Sequence, residues 1–308
     1  MKIRPSNLLR CLLPAIACLG SLDAADKPNI LLIYCDDLGY GDVGVFHQNQ
    51  RAAQKDRSIP FFSTPHIDAM AASGMQLDQH YTAAPVCAPA RASLLTGLTQ
   101  GHAAIRDNQF DKALPDTHTL ASVLKQAGYA TAGSGKWGLQ GQATTPEPNQ
   151  ATIFPAGAAF PGWPAMPTKR GFDDFLGYIR HKDGHYHYPV EDKRQLWHNQ
   201  TEVSADFKLC FSSDLFTAYA KKWIVEHQAK QPDQPFFFYL AFDTPHAKLQ
   251  KPPCAYPEGG GLKGGVQWTG TKDAMLNTAK GTYDGWMHPD YAEATWDDDK
   301  NPATPEVA

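Results

Sequence analysis

Cys87 is the residue best placed to do chemistry in this sequence. It is followed by Ala88, Pro89, Ala90 and Arg91, and then by Ala92-Ser93-Leu94-Leu95-Thr96-Gly97. Pro89 suits the first turn of a helix, Ser93 to Leu95 continue it and Gly97 can close it, so Cys87 is expected just before a helix N-terminus. That end carries positive partial charge and unpaired N–H groups, which favour an anion. With Arg91 one turn further on, position 87 is suited to chemistry on a negatively charged ester. The competing reading is a buried structural thiol, the commoner fate of a lone cysteine.

Three other polar groups follow apolar runs. Asn29-Ile30-Leu31-Leu32-Ile33-Tyr34 reads as a buried parallel strand covered on both faces, and it ends in Cys35-Asp36-Asp37. Open α/β sheets bind ligands at the carboxyl ends of their strands, which is where Asp36 and Asp37 would stand. Asp116-Thr117 can cap a helix whose Leu120, Val123, Leu124 and Ala127 share an apolar face before Gly128 ends it. The strand Tyr129-Ala130-Thr131-Ala132-Gly133 then delivers Lys136 to a loop at the same kind of sheet edge. Asp214 can cap a helix that turns Phe216, Ala220 and Trp223 inward, and the strand from Phe236 to Phe242 leads to Asp243-Thr244-Pro245-His246. The repeated order of strand, polar residue and helix predicts an α/β fold with a mostly parallel sheet. Residues 140–170, rich in Pro, Gly, Ala and Thr, read as a surface insertion.

The 308 residues, 42% of them hydrophobic, are enough for a globular core. A net charge of −4 with interspersed signs gives no nucleic-acid footprint. Lys2, Arg4 and Arg10 precede a short apolar stretch from Cys11 to Leu19, with Ala24 and Ala25 beyond it. That is the shape of a secretory signal, too short and Pro-broken for a stable membrane span. The chain is thus expected to be secreted or periplasmic, with lipoprotein anchoring at Cys18 as the lesser alternative. The divisions expected are a signal at 1–25, a catalytic α/β domain at 26–250 and an irregular Gly/Pro-rich segment at 251–308. Cys35, Cys87, Cys210 and Cys254 are too irregularly spaced for a zinc site or a dense disulfide framework.

The segment Cys87-x-Pro89-x-Arg91, with its continuation to Gly97, resembles the signature of the type I sulfatases. The likeness extends to Pro28-Asn29-Ile30-Leu31, to Asp36-Asp37-Leu38-Gly39-Tyr40-Gly41-Asp42, to Gly135-Lys136-Trp137-Gly138 and to Thr244-Pro245-His246. It implies an alkaline-phosphatase-like fold and a sulfuric ester hydrolase acting on an aryl or carbohydrate sulfate. In the family a maturation system oxidises the cysteine to formylglycine, whose hydrate supplies one hydroxyl as nucleophile and a second that expels sulfate. Carried over, Asp36 and Asp37 would bind Ca2+ next to modified Cys87, and the metal would acidify its hydroxyls. Arg91 would hold residue 87, Lys136 would contact it and the sulfate, and His246 would bind sulfate or assist the leaving group. The family often has a substrate-facing histidine where this chain has His181, His185 and His187, and His185 is the one favoured.

Two departures qualify the resemblance. Many relatives have histidine after the Lys-Trp pair where this chain has Gly138, so a proton-transfer helper is either missing or supplied by another histidine. No Asp-Asn-Gly motif follows His246, so the calcium site is short of ligands and an incomplete domain of low activity is expected. Two rival readings are a phosphoester or phosphonate hydrolase of the same superfamily and a degenerate, non-catalytic binder of sulfated glycans.

Overall fold

The computed structural model describes residues 27–56, 63–108, 112–142, 159–189, 195–207 and 210–246, with short strands at 250–251, 266–268, 275–277 and 286–287. The signal expected at 1–25 lies outside the described residues. In chain order the elements are β1 (Ile30–Asp36), α1 (Asn49–Ala53), α2 (Pro65–Ser73), α3 (Cys87–Thr96), α4 (Leu120–Gln126), β2 (Ala130–Lys136) and β3 (Asp174–Tyr178). They continue with β4 (Leu196–His198), β5 (Thr201–Glu202), α5 (Ser204–Phe207), α6 (Ser212–Lys230) and β6 (Phe236–Pro245).

The strands form one six-stranded sheet in the order β1-β6-β2-β3-β4-β5. β1, β6, β2 and β3 run parallel, and β4 and β5 add an antiparallel edge. β6 is central because Phe236 to Ala241 are apolar without interruption. Phe237, Tyr239 and Ala241 join a core with α3, α4, Trp137, Phe172 and Phe175, while Phe236, Phe238 and Leu240 pack against Leu215 and Phe216 of α6. Alternate side chains of one strand thus hold helices on opposite faces of the sheet.

Several expectations need correction. β1 is an edge strand covered on one face, since Leu31 and Ile33 are each 47% exposed while Ile30, Leu32 and Tyr34 pack on the core. α4 is capped by Thr119, whose hydroxyl accepts from the Ser122 N–H at 3.0 Å; Asp116 instead pairs with Arg170. Val123 faces solvent, so the apolar stripe of α4 is narrower than its spacing indicates. Phe211 occupies the N-cap of α6 and Asp214 lies buried within its first turn. Lys136 ends a strand rather than lying in a loop. Within the expected surface insertion, Trp163, Ala165 and Met166 are buried in the core, anchored by the Trp137 indole N–H donating to the Ala165 carbonyl at 2.8 Å. The terminal segment contains strand pairs, Val266–Trp268 with Met275–Asn277 and Gln250–Lys251 with Trp286–Met287.

Candidate active site

The carboxyl ends of β1, β2 and β6, the segment after β3 and the first turn of α3 meet at one edge of the sheet. This brings together Asp36, Asp37, Cys87, Arg91, Lys136, His185 and His246, residues separated by up to 210 positions in sequence. Cys87 is the first residue of α3 and is buried. The Ala88 N–H beside it donates to Asn108 Oδ1 at 3.1 Å, and Gly97 closes the helix with φ of 69°.

Arg91 is completely buried and ties three elements together. Its Nη1 donates to the Lys136 carbonyl at 2.7 Å, and its Nη2 donates to the Phe242 carbonyl at 3.2 Å and lies 3.5 Å from Asp36 Oδ2. The guidinium also lies over the Tyr34 ring, 5.2 Å from its centroid. Lys136, equally buried, donates from Nζ to Asp36 Oδ2 at 2.5 Å. Burial pushes the Asp36 pKa up, but Arg91 and Lys136 outweigh it and hold the carboxyl well below the usual carboxylate range. Arg91 therefore acts on Asp36 and on main-chain carbonyls as well as lying one turn from Cys87.

Asp37 is the next residue, yet its backbone is left-handed, with φ of 63°, and its side chain is about half exposed. Burial and the Asp36 charge raise its pKa. Two adjacent carboxylates that disfavour joint ionisation suit a hard cation, which would relieve the repulsion. They supply only part of the six to eight oxygens that calcium takes. His246 Nε2 stands 3.5 Å from Asp37 Oδ2.

The Cys87 thiol is not a low-pKa nucleophile. Burial raises its pKa and Asp36 adds to the effect, so the opposing charges of Lys136 and Arg91 do not yield a thiolate. Among the described residues, Cys35, Cys87 and Cys210 are free thiols, and Cys254 lies outside them.

The histidines are sorted by depth. The His185 ring stacks on His246 with centroids 4.4 Å apart, and His181 packs edge-on to His185 at 4.8 Å. Ligand-type atoms of Cys87, His181 and His185 lie within 4.8 Å of one another. Burial first, and then the Lys136 charge, push the His181 pKa down to about 3 and that of His185 to about 2. Both are therefore neutral imidazoles near neutral pH. His185 Nε2 is buried without a hydrogen-bond partner among the described residues. Gly138, with φ of 70°, makes room for His181: a Cβ there would lie 3.2 Å from His181 Nδ1. The Arg180 guanidinium grips Asp183 through two bonds of 2.9 and 3.0 Å, bracing the turn that carries these histidines. His187 points away, into a buried pair with Asp243. Sequence reasoning singled out His185 but gave no role to Asp243, whose signal was a carboxylate directly after an all-apolar strand.

The sulfatase family profile matches residues 28–285. The chain belongs to the sulfatase family. This sulfatase chain is 32% identical over 252 residues to N-acetylgalactosamine-6-sulfatase of Sus scrofa, covering 75% of this chain and 42% of that protein. It is 28% identical over 236 residues to arylsulfatase J of Mus musculus, covering 73% and 34% respectively. Its fold superposes on the crystal structure of Ps i-CgsB in complex with k-i-k-neocarrahexaose with a TM-score of 0.52 and 26% identity, covering 73% of this chain and 46% of that one. The chain thus spans less than half the length of these relatives. The parallel sheet with helices on both faces is the alkaline-phosphatase-like arrangement of the sulfatases.

Proposed function

We propose that this chain carries the catalytic cluster of a sulfuric ester hydrolase acting on a carbohydrate or aryl sulfate, with Cys87 as the precursor of formylglycine. The observation that carries this reading is the environment of Cys87. A buried thiol with a raised pKa is a poor nucleophile as it stands, yet it sits at a helix start beside two buried cations and two neutral imidazoles. Those surroundings suit an oxygen nucleophile and an anionic ester better than a working thiolate.

Formylglycine formed at Cys87 would supply, once hydrated, a hydroxyl nucleophile, and Asp36 and Asp37 would hold part of a Ca2+ site whose charge would favour ionisation of that hydroxyl. Lys136 offsets negative charge at residue 87 and on the sulfate. Arg91 fixes the distance between α3 and the ends of β2 and β6, so the reacting groups need no reorganisation. His181 and His185, neutral and beside position 87, can hydrogen-bond to a hydroxyl there, and Gly138 leaves the space that His181 fills. His246, stacked on His185 at the more open side, is placed to meet the ester and its leaving oxygen. A carbohydrate ester agrees with the substrate named for N-acetylgalactosamine-6-sulfatase and with the neocarrahexaose bound to Ps i-CgsB. Residues 1–25 would direct export, and among the described residues no helix is long and apolar enough to cross a membrane.

The test is peptide mass spectrometry of the Cys87 region from protein made with its maturation machinery, paired with turnover of 4-nitrophenyl sulfate and 4-nitrophenyl phosphate. A peptide about 18 Da lighter than the thiol form, with sulfate preferred over phosphate and activity lost in Cys87→Ala, is the expected result. Unmodified cysteine alongside a correctly matured control would overturn the reading.

A further inference from the structure

Behind His246 lies a buried network that the catalytic reading leaves unused. Asp243, within β6, is fully buried, and so, to within 1%, are His187 and Ser212. The Ser212 hydroxyl donates to the Asp243 carboxylate at 2.8 Å, and the Ser212 N–H donates to the His187 carbonyl at 2.7 Å. His187 Nδ1 lies 3.0 Å from Asp243 Oδ2, and its Nε2 lies 2.9 Å from the carbonyl oxygen of His246.

The donor count decides the charge. A carboxylate and a main-chain carbonyl are both acceptors, whereas a neutral imidazole carries one N–H. Making both bonds at once requires N–H on both ring nitrogens. We propose that His187 is held as an imidazolium and is a positioning residue, a buried cation that ties the backbone of His246 to Asp243 and the start of α6 and so sets where the His246 ring meets the ester. Its catalytic consequence rests on the reading of His246 given above; its structural content does not.

The electrostatics agree with the geometry. Burial opposes the charge on His187, but the Asp243 carboxylate and its hydrogen bond outweigh burial and raise the pKa. Lys136, at the end of β2, opposes the charge less strongly, and α6 and its cap present the uncharged Ser212 and Phe211. The network links three segments that converge at the site: the end of β6, the segment after β3 and the start of α6. A displacement of His246 by about 1 Å is enough to cost on the order of 100-fold in rate for a residue that must meet a reacting group.

Nitrogen-15 NMR of the histidine-labelled full protein at pH 8 tests the proposal without reference to turnover. The expected spectrum has His187 protonated on both nitrogens while His181 and His185 are neutral. Asp243→Asn is expected to return His187 to a neutral tautomer, and His187→Gln to move the His246 ring signals. A neutral His187 in the wild-type spectrum would overturn the charge assignment, and unmoved His246 signals in His187→Gln would overturn the positioning role. If the protein shows these signals but hydrolyses no sulfate ester, it is the catalytic reading that fails. Where the ester is hydrolysed, His187→Gln is expected to lower kcat on the order of 10- to 100-fold, with the thiol-to-aldehyde conversion at position 87 intact.

Discussion

Two of the acid–histidine pairs among the described residues stand at different places on the same sheet. At the carboxyl end of β6, His187 meets Asp243 with side chains 1% and 0% exposed. At the start of β3, His198 meets Asp174 at 2.8 Å with side chains 45% and 25% exposed, and Tyr219 and Asn199 also donate to that carboxylate. The residue types are the same, but water screens the second pair and is excluded from the first. Exposed pairs of this kind contribute little, whereas losing one member of a buried pair leaves a charge that nothing else solvates. Position in the fold, rather than residue type, separates a structural surface clasp from a group able to shape a reaction centre.

That contrast can be tested by substitution, beginning with a fully buried cation. Arg91→Met should cost about 3–5 kcal/mol in chemical denaturation, because Asp36 loses a cation and the Lys136 and Phe242 carbonyls lose a donor. Asp243→Asn should cost about 2–3 kcal/mol, measured the same way. Asp214 extends the contrast to a buried carboxyl with no charged partner among the described residues, and burial pushes its pKa up to about 7. Its folded-state value lies above the unfolded one, so stability is greatest while it is protonated and falls as pH rises from the ordinary carboxylate range to 7. Melts between pH 5 and pH 7 should show a loss of about 2 kcal/mol that Asp214→Asn abolishes. The smallest effect belongs to the exposed pair: Asp174→Asn should cost less than about 1 kcal/mol. Equal costs for Asp174→Asn and Asp243→Asn would erase the distinction between the two pairs.

Much of the candidate site was legible because its residues directly follow apolar runs or open a helix. Asp36, Lys136 and His246 follow such runs and Cys87 begins α3, which are the places where a parallel sheet gathers ligands. What was illegible depended on contacts remote in sequence. Thr119 caps α4 in preference to Asp116-Thr117 because Arg170 draws Asp116 away and the Arg170 carbonyl accepts from the Thr119 hydroxyl. Composition pointed to a surface loop around Trp163, yet Trp137 and Trp197 anchor it from two other segments and Phe160 packs on it from its own. The apolar run of β1 foretold two covered faces, and pattern alone does not tell an edge strand from a central one. Among the three neighbouring histidines, spacing was silent on which turned inward. The separation came from Asp243 claiming His187 and from Gly138 admitting His181.

Gly135 gives the site a property of a different kind. Its φ is 115°, and a Cβ there would lie 1.8 Å from the Ala241 carbonyl oxygen, one residue before Lys136. Across the turn, a Cβ on Gly184 would come within 2.7 Å of the Lys136 Cδ. The path of the lysine stem is therefore set by main chain and empty space, while Asp36 holds its Nζ at the far end. A saturation library over residues 135–138 and 184 should return glycine at 135 and 184 wherever the lysine is still needed. New specificities would then have to be sought in the surrounding loops, because these two positions leave no room for a side chain beneath the lysine.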